Sequence, residues 1–294
     1  MMRLRHGAVF ALVAWLALTP VWTASAAERR SVTAHMAYAT YYHPSSGNNC
    51  GTTRATVGSR NVLALNLYRS ARGGVGAYAD GRNCGRFVRV TIRGKCVGGT
   101  NDGALGKRFC RGGHLVRDRY SGAHLTFVVA DSCPDDNGWC RQDRYHLDLS
   151  ARSLEHFVKN GKVVSGLSSA RHWNNRRVQW SFVSAPGYHG DLRIGFRKDA
   201  QRYWPAITLT HLRNGVHAVV YRQGGRWHRA GRMGSVGQQF VLGATVAHGR
   251  HFRIKVLDAH DHAVAHGRVY SFRLPAACTH GCSAEFTPVR YSTS

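Results

Sequence analysis

The sequence predicts an all-β protein of two domains, and three observations carry that prediction. Short apolar runs alternate with polar residues at a period of two, turn residues recur between them, and the cysteines divide the chain unevenly. Cys50, Cys84, Cys96, Cys110, Cys133 and Cys140 fall in the first half, whereas Cys278 and Cys282 form a C-x3-C near the end. An even count in an exported chain reads as disulfides, but spacing does not choose among the pairings.

Taken in order, Arg3 and Arg5 precede an apolar run from Ala8 to Trp22 and then Ala24-Ser25-Ala26. Residues 1–26 therefore have the form of a cleaved export signal, the run being short for a membrane span. No later segment is apolar enough to cross a bilayer, so the expected product is secreted, extracellular, monomeric and free of membrane after cleavage.

The first domain is expected over residues 31–165. Val88, Val90 and Ile92 alternate with Arg89, Thr91 and Arg93, and Leu125 to Ala130 is a continuous apolar run, so both read as strands. One helix signal follows, with Ser150 as N-cap, Leu154, Phe157 and Val158 on one face, and Gly161 as the stop. This is a small barrel-like β domain. Residues 166–175 are polar and read as a short linker. Over residues 176–275, alternating strands are expected at 178–183, 192–196, 207–211, 218–221, 240–242, 252–256 and 269–272, separated by turns such as Asn214-Gly215 and Gly224-Gly225. That pattern argues for a β-sandwich. Residues 276–294 read as a tail pinned by the last cysteine pair.

The chain has 41 basic and 15 acidic residues, a formal charge of +26. Losing residues 1–26 would remove two arginines and no acid, leaving +24. Such a field concentrates polyanions, and for an exported protein these are acidic wall polymers or anionic surfaces rather than nucleic acid. An arginine-rich coding bias and solubility account for the same composition without any partner. Mild acidification would charge the histidines and strengthen polyanion binding. His260, His262 and His266 lack the ligand spacing of a metal centre, and no metal or cofactor is expected. Gly73-Gly74-Val75-Gly76 follows no convincing strand, and no G-x-S-x-G elbow is present.

Two acids stand out by their apolar surroundings. Asp131 ends the strand Val128-Val129-Ala130 at Cys133, and Asp148 lies within His146-Leu147-Asp148-Leu149-Ser150. With Ala39-Thr40-Tyr41-Tyr42 and the two-domain order, these motifs resemble those of microbial expansins. Barwin-like proteins and lytic transglycosylases of the rare-lipoprotein-A type share similar versions, and the sandwich favours expansins. The resemblance implies a six-stranded double-psi β-barrel, related to family 45 endoglucanases, followed by an immunoglobulin-like sandwich that binds cellulose.

It also implies roles. Asp148 matches the hydrolase general acid, and Leu147 and Leu149 are expected to desolvate it. The position of the second catalytic acid is occupied by Pro44, which cannot activate water, and no acid lies between Ala39 and Ala79. The expected site is thus a non-hydrolytic groove of Asp148, Asp131 and Thr40 with the rings of Tyr41 and Tyr42. The tyrosine that the bacterial family often places two residues after the first acid is Cys133 here. Tyr203 and Trp204 resemble the paired aromatics of the cellulose platform; both can serve only from a loop or bulge, since neighbouring strand residues face opposite ways. Trp227 either supplies a third platform ring or packs in the core.

The expected function is therefore wall loosening by a secreted, non-hydrolytic protein without cofactor. Its partners would be cellulose and other cell-wall polysaccharides, with acidic pectin or peptidoglycan as further ligands. The alternatives are a glycan-cleaving enzyme, either an endoglucanase or a lytic transglycosylase using Asp148, and an adhesin that binds walls by charge.

Overall fold

A computed structural model describes residues 33–44, 48–51, 59–67, 76–99, 109–133, 138–188, 190–234, 237–244 and 250–294. The expected export signal lies outside them, as does Gly73-Gly74-Val75. No helix among the described residues is long and apolar enough to cross a membrane.

The first domain is built on six strands: β1 (His35–Tyr42), β2 (Val62–Asn66), β3 (Phe87–Val97), β5 (His124–Cys133), β6 (Leu147–Ser150) and β9 (Arg176–Val183). They pair in the order β3-β9-β1-β6-β2-β5, and β5 pairs back to β3, closing a ring. The β1–β6 and β2–β5 pairs are parallel, and the other four are antiparallel. Short strands β4 (His114–Val116), β7 (Val158–Lys159) and β8 (Lys162–Val163) extend the sheet at its margins.

The alternation read from sequence fills this ring. Ala37, Ala39, Leu63, Leu65, Val88, Val90, Phe127, Val129, Leu147 and Leu149 share one buried cluster. A six-stranded barrel has room only for side chains, so small alanines on β1 sit with larger residues elsewhere.

Two boundaries differ from expectation. The segment 178–183, read as the first sandwich strand, is barrel strand β9. It pairs with both β1 and β3, and its Val178 and Trp180 are 0% and 1% exposed in the barrel core. Residues 166–175 are consequently not a linker: Leu167 is buried, and a helical turn, α2 (Ala170–Trp173), buries Trp173 against Phe157. The helix expected after Ser150 is a 3₁₀ segment, Ala151–His156, and the Ser150 side chain makes no capping hydrogen bond. An earlier short helix, α1 (Gly138–Gln142), had no sequence signal.

The second domain stacks two five-stranded antiparallel sheets. One contains β14 (Gly231–Arg232), β15 (Gln239–Val241), β11 (Ala206–Thr210), β10 (Arg193–Phe196) and β18 (Thr287–Pro288). The other contains β13 (Arg226–Arg229), β12 (Ala218–Gln223), β16 (His251–Leu257), β17 (Tyr270–Arg273) and β19 (Tyr291–Thr293). Between them lies a core in which Phe196, Phe252 and Phe272 meet at 5.6–5.8 Å. Gly224 and Gly225, with φ of +55° and +78°, make the two-residue turn joining β12 to β13, as their sequence predicts. The expected tail is instead structural, since β18 and β19 add one strand to each sheet and Cys278 and Cys282 are buried in the core.

The two domains meet directly after β9. Ala185 N donates to Arg213 O at 2.9 Å, Gln239 Nε2 donates to Gly51 O at 2.9 Å, and Arg86 Nη2, whose guanidinium lies on the Phe182 ring of β9, reaches His260 Nε2 at 3.4 Å. Gly85 and Gly237 permit this approach: a Cβ on either would stand 2.4 or 2.3 Å from Gln238 or Cys84. All eight cysteines are paired, as Cys50–Cys84, Cys96–Cys110, Cys133–Cys140 and Cys278–Cys282.

Trp180 fills the barrel from the strand that closes it. Trp180→Ala is expected to destabilise the protein by about 3–5 kcal/mol in denaturant unfolding, the usual range for deleting a buried large aromatic. A loss under about 1 kcal/mol would show that β9 is dispensable.

Candidate functional site

Strand pairing aligns the candidate site in one row across the outside of the barrel. Thr40 on β1 is opposite Asp148 on β6, Asp148 is opposite Ala64 on β2, and Ala64 is opposite Asp131 on β5. Asp131 enters the row through a β-bulge. Leu63 pairs with Val129 but Ala64 pairs with Asp131, so Ala130 is the extra residue. Without it, the alternation that points Val129 inward would point Asp131 inward too; the bulge re-aims the carboxylate.

On this row, Thr40 Oγ1 donates to Asp148 Oδ1 at 2.9 Å and lies 2.8 Å from His146 Nε2. Since the hydroxyl proton is used toward the carboxylate, His146 donates through Nε2–H to Thr40. Burial holds His146 far below the ordinary histidine value, at about 3, so the ring is neutral. His146, Thr40 and Asp148 thus form a relay in which each donor has one acceptor.

Asp148 is 8% exposed, and its carboxyl is pushed up to about 6. Burial is the main cause, the Thr40 hydrogen bond opposes it, and the charge of Asp131 adds to it. The desolvation does not come from Leu147 and Leu149, which point into the barrel. It comes from the outer face, where Tyr42 packs against Ala64, Cys133 and Cys140, and where Cys133 Sγ lies 3.9 Å from Asp148 Oδ2. The carboxyl of Asp131 is also raised by burial, and its Oδ1 accepts the backbone N–H groups of Asn49 at 3.0 Å and Ser132 at 2.9 Å. Asp131 is therefore a carboxyl braced by two backbone donors, two strands from Asp148, roughly 9.5 Å between backbones.

The two tyrosines separate. Tyr42 shares the outer face with Thr40, and its phenol is pushed above the ordinary range by burial, by Asp131 and by Asp148. Tyr41 faces the other way and packs against the barrel core. An aromatic ring therefore does reach the carboxylates, from β1 instead of from position 133.

Sequence reasoning missed three neighbours. Tyr38, two residues before Thr40 on the same face, stacks on Phe109 at 4.9 Å and meets the edges of Trp139 at 5.3 Å and His146 at 5.1 Å. Asp143 accepts the backbone N–H groups of Tyr145 and Tyr38, bracing the turn before β6. Period-two alternation back from Thr40 would have found Tyr38; Asp143 and Trp139 are placed by contacts distant in sequence.

In the second domain, Gln201 and Trp204 bond to each other through their backbones, so Arg202 and Tyr203 form the tip of a tight turn. Tyr203 is 66% exposed, whereas Trp204 packs against the core with the Arg197 guanidinium 5.2 Å from its ring. Trp227 is not a core residue: it is 37% exposed on edge strand β13, with Lys255 Nζ 4.9 Å from its ring. It belongs to the other sheet from the one that Tyr203 and Trp204 precede.

Among the described residues, the grouping able to offer three metal ligands is Cys133, Cys140 and His146, but its two cysteines are joined to each other. His260 and His262 lie 6.1 Å apart in the turn organised by Asp258, which accepts both backbone N–H groups.

Asp148 makes stability depend on pH with a defined sign. Its folded carboxyl titrates near 6 and an unfolded one near 3.8. The burial penalty is absent well below pH 3.8, where both states are protonated, and reaches its full size as the pH rises past 6. The difference corresponds to about 3 kcal/mol. Asp148→Asn is expected to raise unfolding free energy by up to that amount at about pH 8 and to leave it near wild type at about pH 3, as measured by denaturant titration at both values.

No protein-family model matches the chain, and no curated protein does. Among solved structures, the chain matches the expansin of Clavibacter michiganensis, as a point mutant in complex with cellohexaose and in its apo form. The TM-scores are 0.53 and 0.51, each at 18% identity over 87% of this chain and 96% of the other. The likeness extends through both domains and establishes the fold: a closed β-barrel followed by a β-sandwich, in the arrangement of a microbial expansin.

Proposed function

We propose that the chain is an exported, expansin-like protein that grips cellulose and related wall glucans and loosens the wall without hydrolysis. The observation that carries this reading is the outer row of the barrel: one protonatable acid, Asp148, tied to Thr40, with Asp131 held by two backbone donors and Tyr42 beside both. An inverting glycosidase needs a second carboxylate free to activate water, and the β1 end that would present it continues into His43 and Pro44. The row offers hydrogen-bond donors and acceptors to sugar hydroxyls, an arrangement suited to competing for bonds between chains. The fold shared with a protein solved with cellohexaose supports a cellulose-type ligand. Four disulfides fit an oxidising, extracellular setting.

A single raised carboxyl also suits a lytic transglycosylase, so wall creep and soluble-sugar release should be measured on the same samples. The wild type is expected to extend a cellulosic wall without releasing sugar, and Asp148→Asn to lose that extension. Sugar release from cellulose or peptidoglycan by the wild type, abolished in Asp148→Asn, would make the protein an enzyme instead.

Tyr203 is the accessible ring of the sandwich turn, and removing it leaves the Trp204 packing in place. Tyr203→Ala is expected to weaken cellulose retention about fivefold to tenfold, the loss of roughly 1 kcal/mol of ring contact. The difference should persist at high salt, which screens ionic contacts far more than stacking. Unchanged retention would remove Tyr203 from the platform.

A further inference from the structure

One of the four disulfides stands apart by its surroundings. The sulfurs of Cys133 and Cys140 and a ring nitrogen of His146 all lie within 4.8 Å of one another, and all three residues are buried. Among the described residues, no other cysteine pair has a histidine, aspartate or glutamate so placed. Asp148 extends the group, with Oδ2 at 3.9 Å from Cys133 Sγ. Two sulfurs, an imidazole and a carboxylate are ligand types that zinc takes, in the number a closed tetrahedral site needs. Hard cations such as calcium and magnesium prefer oxygen alone.

The hydrogen bonds around this group leave ligand atoms in reserve. Thr40 holds His146 through Nε2 and Asp148 through Oδ1. What remains of the imidazole is Nδ1, which is buried with no hydrogen-bond partner. What remains of the carboxylate is Oδ2, beside the sulfur. Buried polar atoms are normally satisfied, so the orphaned nitrogen of a fully buried ring calls for a cause, and a bound cation supplies one. A hydroxyl that orients both the histidine and the carboxylate is the kind of outer support by which metal ligands are fixed.

We propose that, once the Cys133–Cys140 bond is reduced, this cluster binds one zinc ion through both sulfurs, His146 Nδ1 and Asp148 Oδ2. An external dithiol supplies the two electrons and two protons that open the bond, and is itself oxidised to a disulfide. The two cysteine thiols then release their protons to solvent as the zinc–sulfur bonds form. Zinc–sulfur bonds of about 2.3 Å set tetrahedral partners about 3.8 Å apart, so ligand atoms already within 4.8 Å of one another need move by roughly 1 Å. The ion takes over the link that ties α1 to the end of β5, and it occupies the oxygen through which Asp148 exchanges a proton. The zinc form thus keeps the cover over the groove acid and takes that acid out of play, whereas the disulfide form leaves it available. This consequence for wall loosening rests on the proposed function; the metal site itself does not.

The test uses the full-length protein, reduced in the folded state with a phosphine, which supplies the same two electrons without offering the metal a thiol. It is titrated with cobalt chloride, whose absorption reports its ligands, and then with zinc sulfate. The reduced wild type is expected to take up cobalt with sulfur-to-metal charge-transfer and tetrahedral bands that zinc displaces, and the oxidised protein to show neither. Zinc is expected to slow alkylation of Cys133 and Cys140 in the reduced wild type and to leave the other cysteines unchanged, as mapped by peptide mass spectrometry; this readout needs no variant. His146→Ala and the pair Cys133→Ser with Cys140→Ser are expected to lose the cobalt bands. Thr40→Val is expected to keep them with about tenfold weaker affinity, the usual effect of removing an outer partner of the ligands. A reduced wild type that takes up no cobalt would overturn the proposal, as would zinc that leaves alkylation of Cys133 and Cys140 unchanged. So would cobalt binding of wild-type strength in His146→Ala or in the double serine variant, which would place the metal on other cysteines. Metal uptake as expected, with no wall extension by the oxidised protein, would overturn the proposed function and leave this site standing.

Discussion

Closure of the barrel by β9 is the constraint on which the rest depends. Its pairing with β1 on one side and β3 on the other turns a curled sheet into a ring, and the ring holds β1 beside β6 in parallel. Only that neighbour relation sets Thr40 against Asp148, because the two are 108 positions apart in the chain. The same strand ends at the sandwich. The contacts of Ala185, Gln239 and Arg86 follow directly, so no free tether separates barrel from sandwich.

Within the ring, a period of two separates the work of packing from the work of the site. Leu147 and Leu149 fill the interior, while His146, Asp148 and Ser150 take the opposite face. A carboxyl on the outer face of a barrel would ordinarily be solvated and acidic. Here Tyr42, Ala64 and the Cys133–Cys140 disulfide cover it, which raises its titration to about 6 at the expense of stability near neutral pH. The Thr40 hydroxyl recovers part of that loss and holds the carboxyl in one orientation. A site strained in this way is retained in spite of folding rather than because of it.

The sandwich places its exposed rings differently. Tyr203 projects from a tight turn leading into one sheet, anchored by the half-buried Trp204 and by Arg197, while Trp227 lies exposed on the edge strand of the other with Lys255 beside its ring. Some cations of the chain hold acids, as Arg176 does Asp118.

Much of this was legible in the sequence because strand periodicity, hairpin glycines and the apolar setting of Asp131 and Asp148 are local signals. The all-β class, most strands, the β12–β13 turn and the two acids follow from such signals. The sequence could not say that 178–183 closes the barrel, since an alternating strand looks the same in a barrel and a sandwich and only its partners distinguish them. Nor could it say that β18 and β19 belong to the sheets, that Tyr41 turns inward while Tyr42 reaches the carboxylates, or that Trp227 is exposed. What the amino-acid sequence determined alone is which residues are able to occupy a pleated, half-buried surface and where acids interrupt it. Which of those residues face one another was decided by ring closure and the bulge at Ala130, because register between strands distant in the chain is settled by packing the whole barrel at once.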